Sequence, residues 1–186
     1  MPTKKKPTRA DLEAARTKKV PDIIAKKLRV LFVGINPGLY SGAVGHHFAR
    51  PGNRFWPALE LSGFTESRLS PFEELQLLGR GLGITNIVPR TTARADELSP
   101  DELRRGAARL AAKVRRYRPA FVAVLGVTAY RAAFERPEAK LGRQRETISG
   151  ARLWVLPNPS GLNAHHGLSD LARLFRELRR AARLGD

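Results

Sequence analysis

At 186 residues, with 42% hydrophobic residues and no cysteine, the chain is sized for one domain with a real core, which excludes a wholly disordered chain, a disulfide framework, thiolate metal sites and a cysteine nucleophile. Lys plus Arg number 34 against 17 Asp plus Glu, a formal net charge of +17, and a field of that sign concentrates polyanions, phosphate backbones first among them. No apolar run approaches the ~20 residues needed to cross a bilayer, and no apolar segment follows Lys4-Lys5-Lys6 as a secretory signal requires.

Residues 1–20 read as a basic, largely unfolded arm. It holds Lys4, Lys5, Lys6, Arg9, Arg16, Lys18 and Lys19 against Asp11 and Glu13, and a short helix over Asp11–Thr17 is the one ordered piece its pattern allows. From Leu28 the pattern becomes α/β. Leu28–Val33 is a short apolar run stopped by Gly34, the mark of a buried strand. A Gly/Pro-rich loop follows to Gly52. Residues 54–62 and 71–78 read as helices, and Gly83–Val88 as a second strand stopped by Pro89. Ser99-Pro100-Asp101-Glu102 is a helix start in which Ser caps, Pro fits the first turn and Glu closes the capping box. Leu103, Ala107, Leu110, Ala111 and Val114 then fall on one helical stripe. Ala120–Leu125 is a third strand, Val127–Glu135 a helix, Arg152–Leu156 a fourth strand and Leu168–Leu184 the closing helix.

Strands alternating with helices predict a single α/β domain over residues 21–186, a central parallel four-stranded sheet flanked by helices. Ligands in such folds bind outside the carboxyl ends of the strands. Two loops of unusual composition leave those ends. The first carries Gly34-Ile35-Asn36-Pro37-Gly38 and Gly45-His46-His47-Phe48-Ala49-Arg50-Pro51-Gly52-Asn53-Arg54-Phe55-Trp56. The second carries Pro157-Asn158-Pro159-Ser160-Gly161-Leu162-Asn163. Both are stiffened by Gly and Pro, and both set an Asn beside a Pro. Rigid backbone suits a polar planar ligand, and a fixed Asn carbonyl can orient a water.

These motifs, in this order and spacing, resemble the mismatch-specific uracil/thymine DNA glycosylase family of the uracil–DNA glycosylase superfamily, in its bacterial branch. The likeness runs from about Leu28 to the last helix. It implies an enzyme that flips a mispaired uracil, or a thymine or other modified pyrimidine, out of duplex DNA and hydrolyses its glycosidic bond. It implies that Asn36 positions the attacking water and Phe48 stacks on the flipped base. Backbone near Ile35 and Asn158 would hydrogen-bond that base. Gly161 and Leu162 would enter the duplex where the base left, with Ser160 and Asn163 contacting DNA beside them. Bacterial relatives follow the wedge Leu with Ser-Arg, whereas Asn163-Ala164 stand here. The expected partner is double-stranded DNA, with no cofactor and no metal. The expected enzyme is a monomer in the bacterial cytoplasm.

The chemistry holds together without the family name. Breaking an N-glycosidic bond leaves positive charge on the sugar and negative charge on the base, which backbone N–H groups can stabilise. An Asn can orient water but not take a proton, so the reaction leans on the leaving group. Seven of the nine lysines lie at or before Lys27, and Lys113 and Lys140 lie outside the motif loops. Hydrolysis is therefore favoured over lyase chemistry, which needs an amine. Asp96, in the loop after strand two, is a candidate to assist Asn36, against an ion pair with Arg90 or Arg94 or support of the helix at Ser99. His46-His47 and His165-His166 lack the spacing of metal ligands and read as DNA contacts or solvated loop residues. Gly79–Gly83 precedes a strand and is a turn, not a dinucleotide loop. Trp56 and Trp154 read as core. A catalytically silent DNA-binding module, and a related glycosylase of single-strand or other damaged-base preference, remain the alternatives.

Overall fold

In the computed structural model, which describes residues 6–183, Val30–Gly34 (β1), Leu82–Asn86 (β2), Phe121–Leu125 (β3), Gly142–Ile148 (β4) and Ala151–Leu156 (β5) form one sheet in the order β2-β1-β3-β5-β4. β1 runs parallel to β2 and β3, and β3 parallel to β5. These are the four strands expected from the sequence. The fifth, β4, is antiparallel to β5 at the edge and corrects the four-stranded, all-parallel expectation. Its residues alternate between exposed and half-buried, so Arg143, Arg145 and Thr147 face solvent and no apolar run betrays the strand. Ser149 and Gly150, both at positive φ, make the tight turn into β5.

Helices cover both faces. Phe55–Ser62 (α3) and Leu168–Ala181 (α6) pack on one side, where Phe32 lies parallel to Phe175 and edge-on to Phe55. Pro100–Tyr117 (α4) and Val127–Phe134 (α5) pack on the other, over Leu31, Val33, Val122 and Val124. α4 starts at the expected cap: the Ser99 side chain accepts from the Glu102 N–H, and the Glu102 side chain accepts from the Ser99 N–H. Trp56 and Trp154 are buried, as the sequence implied. The stretch 71–80 is a run of 3₁₀ turns, not an α-helix.

The N-terminal segment departs from its expected disorder. Thr8 caps a helix over Arg9–Ala14 (α1), which packs against Leu39–Val44 (α2), a helix absent from the sequence reading. Ala15 and Val20 are buried, the Thr91 hydroxyl donates to the Lys18 carbonyl, and Ile23 bridges to Ile84 of β2. A few small apolar groups against a preformed surface suffice to order the segment, where composition alone gave too little core. Lys4 and Lys5 lie outside the described residues.

Candidate active site

A cavity of ≈ 630 Å³ opens at the carboxyl ends of the parallel strands, between the two motif loops and the loop after β2. Ile35, Asn36, Phe48, Asp96, Asn158, Ser160, Leu162 and Asn163 all line it, so nearly every sequence-derived candidate converges on one place.

Asn36 is the most constrained. Its Nδ2 donates to the Thr92 hydroxyl (2.7 Å), the Arg90 carbonyl (2.9 Å) and, more weakly, the Pro37 carbonyl (3.2 Å). Thr92 spends its own proton on the Arg94 carbonyl, so its oxygen can only accept from Asn36. No described residue donates to Asn36 Oδ1, which leaves an oriented acceptor on a residue that lines the cavity. The loop supplying these acceptors is anchored in turn. Glu102 binds the Arg90 guanidinium through both oxygens (2.9 and 3.1 Å). That pairing, helped by the Ser99 N–H, pulls the Glu102 carboxyl down to about 2.

Phe48 stands at φ 51°, a left-handed conformation that costs a non-glycine residue on the order of 1–2 kcal/mol. In return its ring stacks on Phe55 at 4.2 Å, leaving the other side of a half-buried ring to the cavity it lines. Gly34 makes room: a Cβ there would stand 3.3 Å from the Phe48 ring and 2.5 Å from Asn86 Oδ1. The Ile35 carbonyl accepts from the Val88 N–H and ties the first loop to the end of β2.

The second loop is organised by Arg54, a residue of the first motif loop. The Arg54 guanidinium, half-buried, donates to the carbonyls of Ser160, Asn163 and His166, while its N–H donates to Pro159. Asn158 Oδ1 accepts from the Ser160 N–H, which leaves its Nδ2 as a donor at the cavity. Asn163, expected at the DNA, uses its side chain inside the loop: Nδ2 donates to the Asn158 carbonyl and Oδ1 accepts from the His165 N–H. Gly161 packs against the first loop, since a Cβ there would stand 2.7 Å from the Gly52 carbonyl. Beside it Leu162 is 73% exposed, on a turn held by Ser160 and Asn163.

The adjacent histidines diverge, and neither is a simple solvated residue. His46 Nδ1 lies 2.8 Å from Glu74 Oε1, and Glu74 Oε2 accepts the His47 N–H. His47 is buried with Nε2 on the Pro21 carbonyl (2.8 Å). Burial pushes its pKa below the ordinary histidine value, against the smaller opposing effects of the Pro21 bond and Glu74. Asp96 sits at the cavity with its carboxylate on Arg94, the ion-pair outcome foreseen for it, and both side chains are exposed.

The family model for the uracil DNA glycosylase superfamily matches residues 21–182. The chain belongs to that superfamily. The solution NMR structure of a candidate uracil DNA glycosylase from Methanosarcina acetivorans has the same fold. It superposes with a TM-score of 0.58 at 16% identity, over 87% of this chain and 98% of that one. Superfamily membership supports DNA glycosylase activity in general, and the +17 charge suits a polyanionic substrate.

Three residues of this site have roles that the sequence reading does not assign: Arg54, quoted there only as part of the first motif loop, Thr92 and Asn86. Arg54 and Thr92 act by holding loops. Asn86 ends β2 directly beside Gly34 of β1 and lines the cavity. Its signal was positional: an amide at the carboxyl end of a buried strand, level with the first motif.

Proposed function

We propose that this glycosylase hydrolyses the N-glycosidic bond of uracil mispaired with guanine in duplex DNA, as a monofunctional enzyme of the mismatch-specific branch. The carrying observation is Asn36, whose amide nitrogen is fully engaged and whose carbonyl oxygen is left open at a cavity lined by Phe48. In this reading Asn36 Oδ1 accepts from a water and aims its oxygen at the sugar carbon. The flipped uracil lies along Phe48. Asn86 meets its edge, with Oδ1 accepting from N3–H and Nδ2 donating to O4. Asn158 Nδ2 supports the charge that builds on the leaving base.

Leu162 fills the gap left in the stack. Extrusion costs a few kcal/mol and least for a mispaired base, which favours G·U over a paired target. With Ala164 where relatives carry Arg, selectivity rests on that cheaper extrusion more than on a guanidinium at the opposite strand. Among the described residues lining the cavity there is no lysine, and Lys113 is occupied by Asp22 and Thr85, which supports hydrolysis over Schiff-base chemistry. One chain supplies every named group, so a monomer suffices.

The test is incubation with G·U, A·U and single-stranded uracil DNA. The expected products are free uracil and an abasic site in an intact strand, fastest from G·U. Strand nicking through a borohydride-trapped adduct would overturn the monofunctional reading, and no release from any substrate would overturn the activity.

A further inference from the structure

We propose that His47 is a positioning residue that locks the Asn86 amide in the orientation that accepts uracil and rejects cytosine. The inference deepens the proposed function and rests on uracil being the flipped base.

The lock follows from donors and acceptors. A peptide carbonyl can only accept, so the Pro21 carbonyl at 2.8 Å places the single proton of neutral His47 on Nε2. Nδ1 is then a bare lone pair. It faces Asn86 at 3.4 Å, so the side of the amide turned toward it must be Nδ2, which can donate. Asn86 Oδ1 is thereby turned to the Gly34 side, where the missing Cβ leaves it room. Turning the amide over would set Oδ1 against the Nδ1 lone pair. Relieving that clash by moving the proton to Nδ1 would set the Nε2 lone pair against the Pro21 oxygen.

The imidazole cannot swing away. The His47 N–H donates to Glu74 Oε2 (2.9 Å), its carbonyl accepts from Trp56 Nε1 (3.3 Å), and the residue is 2% exposed. Burial keeps the ring neutral, as the lock requires.

The consequence is chemical discrimination. Uracil presents N3–H and O4, a donor beside an acceptor. Cytosine presents N3 and N4–H₂, an acceptor beside a donor. A free Asn amide reads either by rotating half a turn. A locked amide offers Oδ1 and Nδ2 in one order, which pairs with uracil and opposes both groups of cytosine. The genome's commonest near-isostere of uracil is thus refused by a residue that need not touch it.

The experiment measures binding to duplexes carrying one uncleavable 2′-fluorinated nucleotide, deoxyuridine opposite guanine or deoxycytidine opposite adenine, both mispaired. Wild type is expected to prefer the uridine duplex by about 100-fold, the scale of opposed buried hydrogen bonds. In His47→Phe, which keeps a ring but removes the lone pair, the preference should shrink to within about 5-fold. Asn86→Ala should narrow it similarly. A two-bond ¹H–¹⁵N spectrum of the wild-type protein should show His47 protonated at Nε2 only.

Finding the proton on Nδ1 overturns the lock, whether or not the variant folds. So does a His47→Phe protein that keeps the full preference, or an Asn86→Ala protein that does. Failure of the underlying reading looks different: wild type would release no uracil and bind both duplexes equally.

Discussion

The value of Asn36 lies in which of its atoms is left over. Three acceptors hold Nδ2, so the side chain is fixed before any water arrives, and fixing a reactant beforehand lowers the barrier without tightening substrate binding. Asn36→Ala is therefore expected to lower the single-turnover rate on G·U duplex by about 100-fold or more, with the Kd for uncleavable duplex changed by no more than about twofold. Comparable losses in rate and affinity would make Asn36 a turn-builder. Leu162 illustrates the opposite design, a large apolar side chain left in water. Burying a Leu is worth ~1.5–3 kcal/mol, and that energy is recovered only when a base stack closes around it. Leu162→Ala should slow excision from duplex by about 10-fold or more, and from single-stranded DNA by less than about twofold. Equal effects on both substrates would mean that Leu162 is no wedge.

At the scale of elements, the site consists of three loops held by polar hubs. Arg54 ties the second loop through three carbonyls, a geometry that suits a planar guanidinium and not an ammonium. Arg54→Lys leaves carbonyls without a partner at a cost of about 2 kcal/mol, which for a chain of this size lowers Tm by about 4–8 °C. Excision should fall further than melting implies, because the turn carrying Leu162 loosens with it. Calorimetry and single-turnover rates on the same preparation check both. What was legible in the sequence divides along the same line. Four strands were readable because Val30–Gly34 and its parallel partners are buried on both faces and read as apolar runs. β4 was not, because Arg143 and Arg145 occupy its outer face. α2 was hidden between Gly38 and Gly45, which look like loop punctuation and in fact cap a helix at both ends. Composition marked the two motif loops, and their resemblance to a known family pointed to Asn36, Phe48 and Leu162 within them. Arg54, Thr92 and Asn86 act through partners tens of residues away, Asn163 and Ser160 among them, and pairings of that range exist only once the strands are in register.

For the whole molecule, the buried His47 couples folding to pH. The unfolded chain protonates its imidazole near the ordinary value of 6.5, whereas the folded chain resists until a lower pH because burial disfavours the cation. Between those two values the unfolded state binds more protons, so stability rises with pH there and is lost as pH falls from about 6.5 through the folded value. Below the folded value both states are protonated and this loss levels off. Glu102 has its folded pKa depressed from 4.5 to about 2, so its contribution is present above 4.5 and lost as pH falls from there toward 2. Its exposure to solvent keeps that second loss small. The two windows do not start together. Melting temperature is therefore expected to be flat above pH 7, to fall as pH drops below about 6.5 on account of His47, and to fall again in the acid range where the carboxylates protonate. His47→Phe removes only the first step, flattening the profile just below about pH 6.5 while leaving the acid step. Melting curves of both proteins in one buffer series decide the matter: a wild-type profile without a loss below pH 6.5, or a variant profile that retains it, would place the coupling on another group.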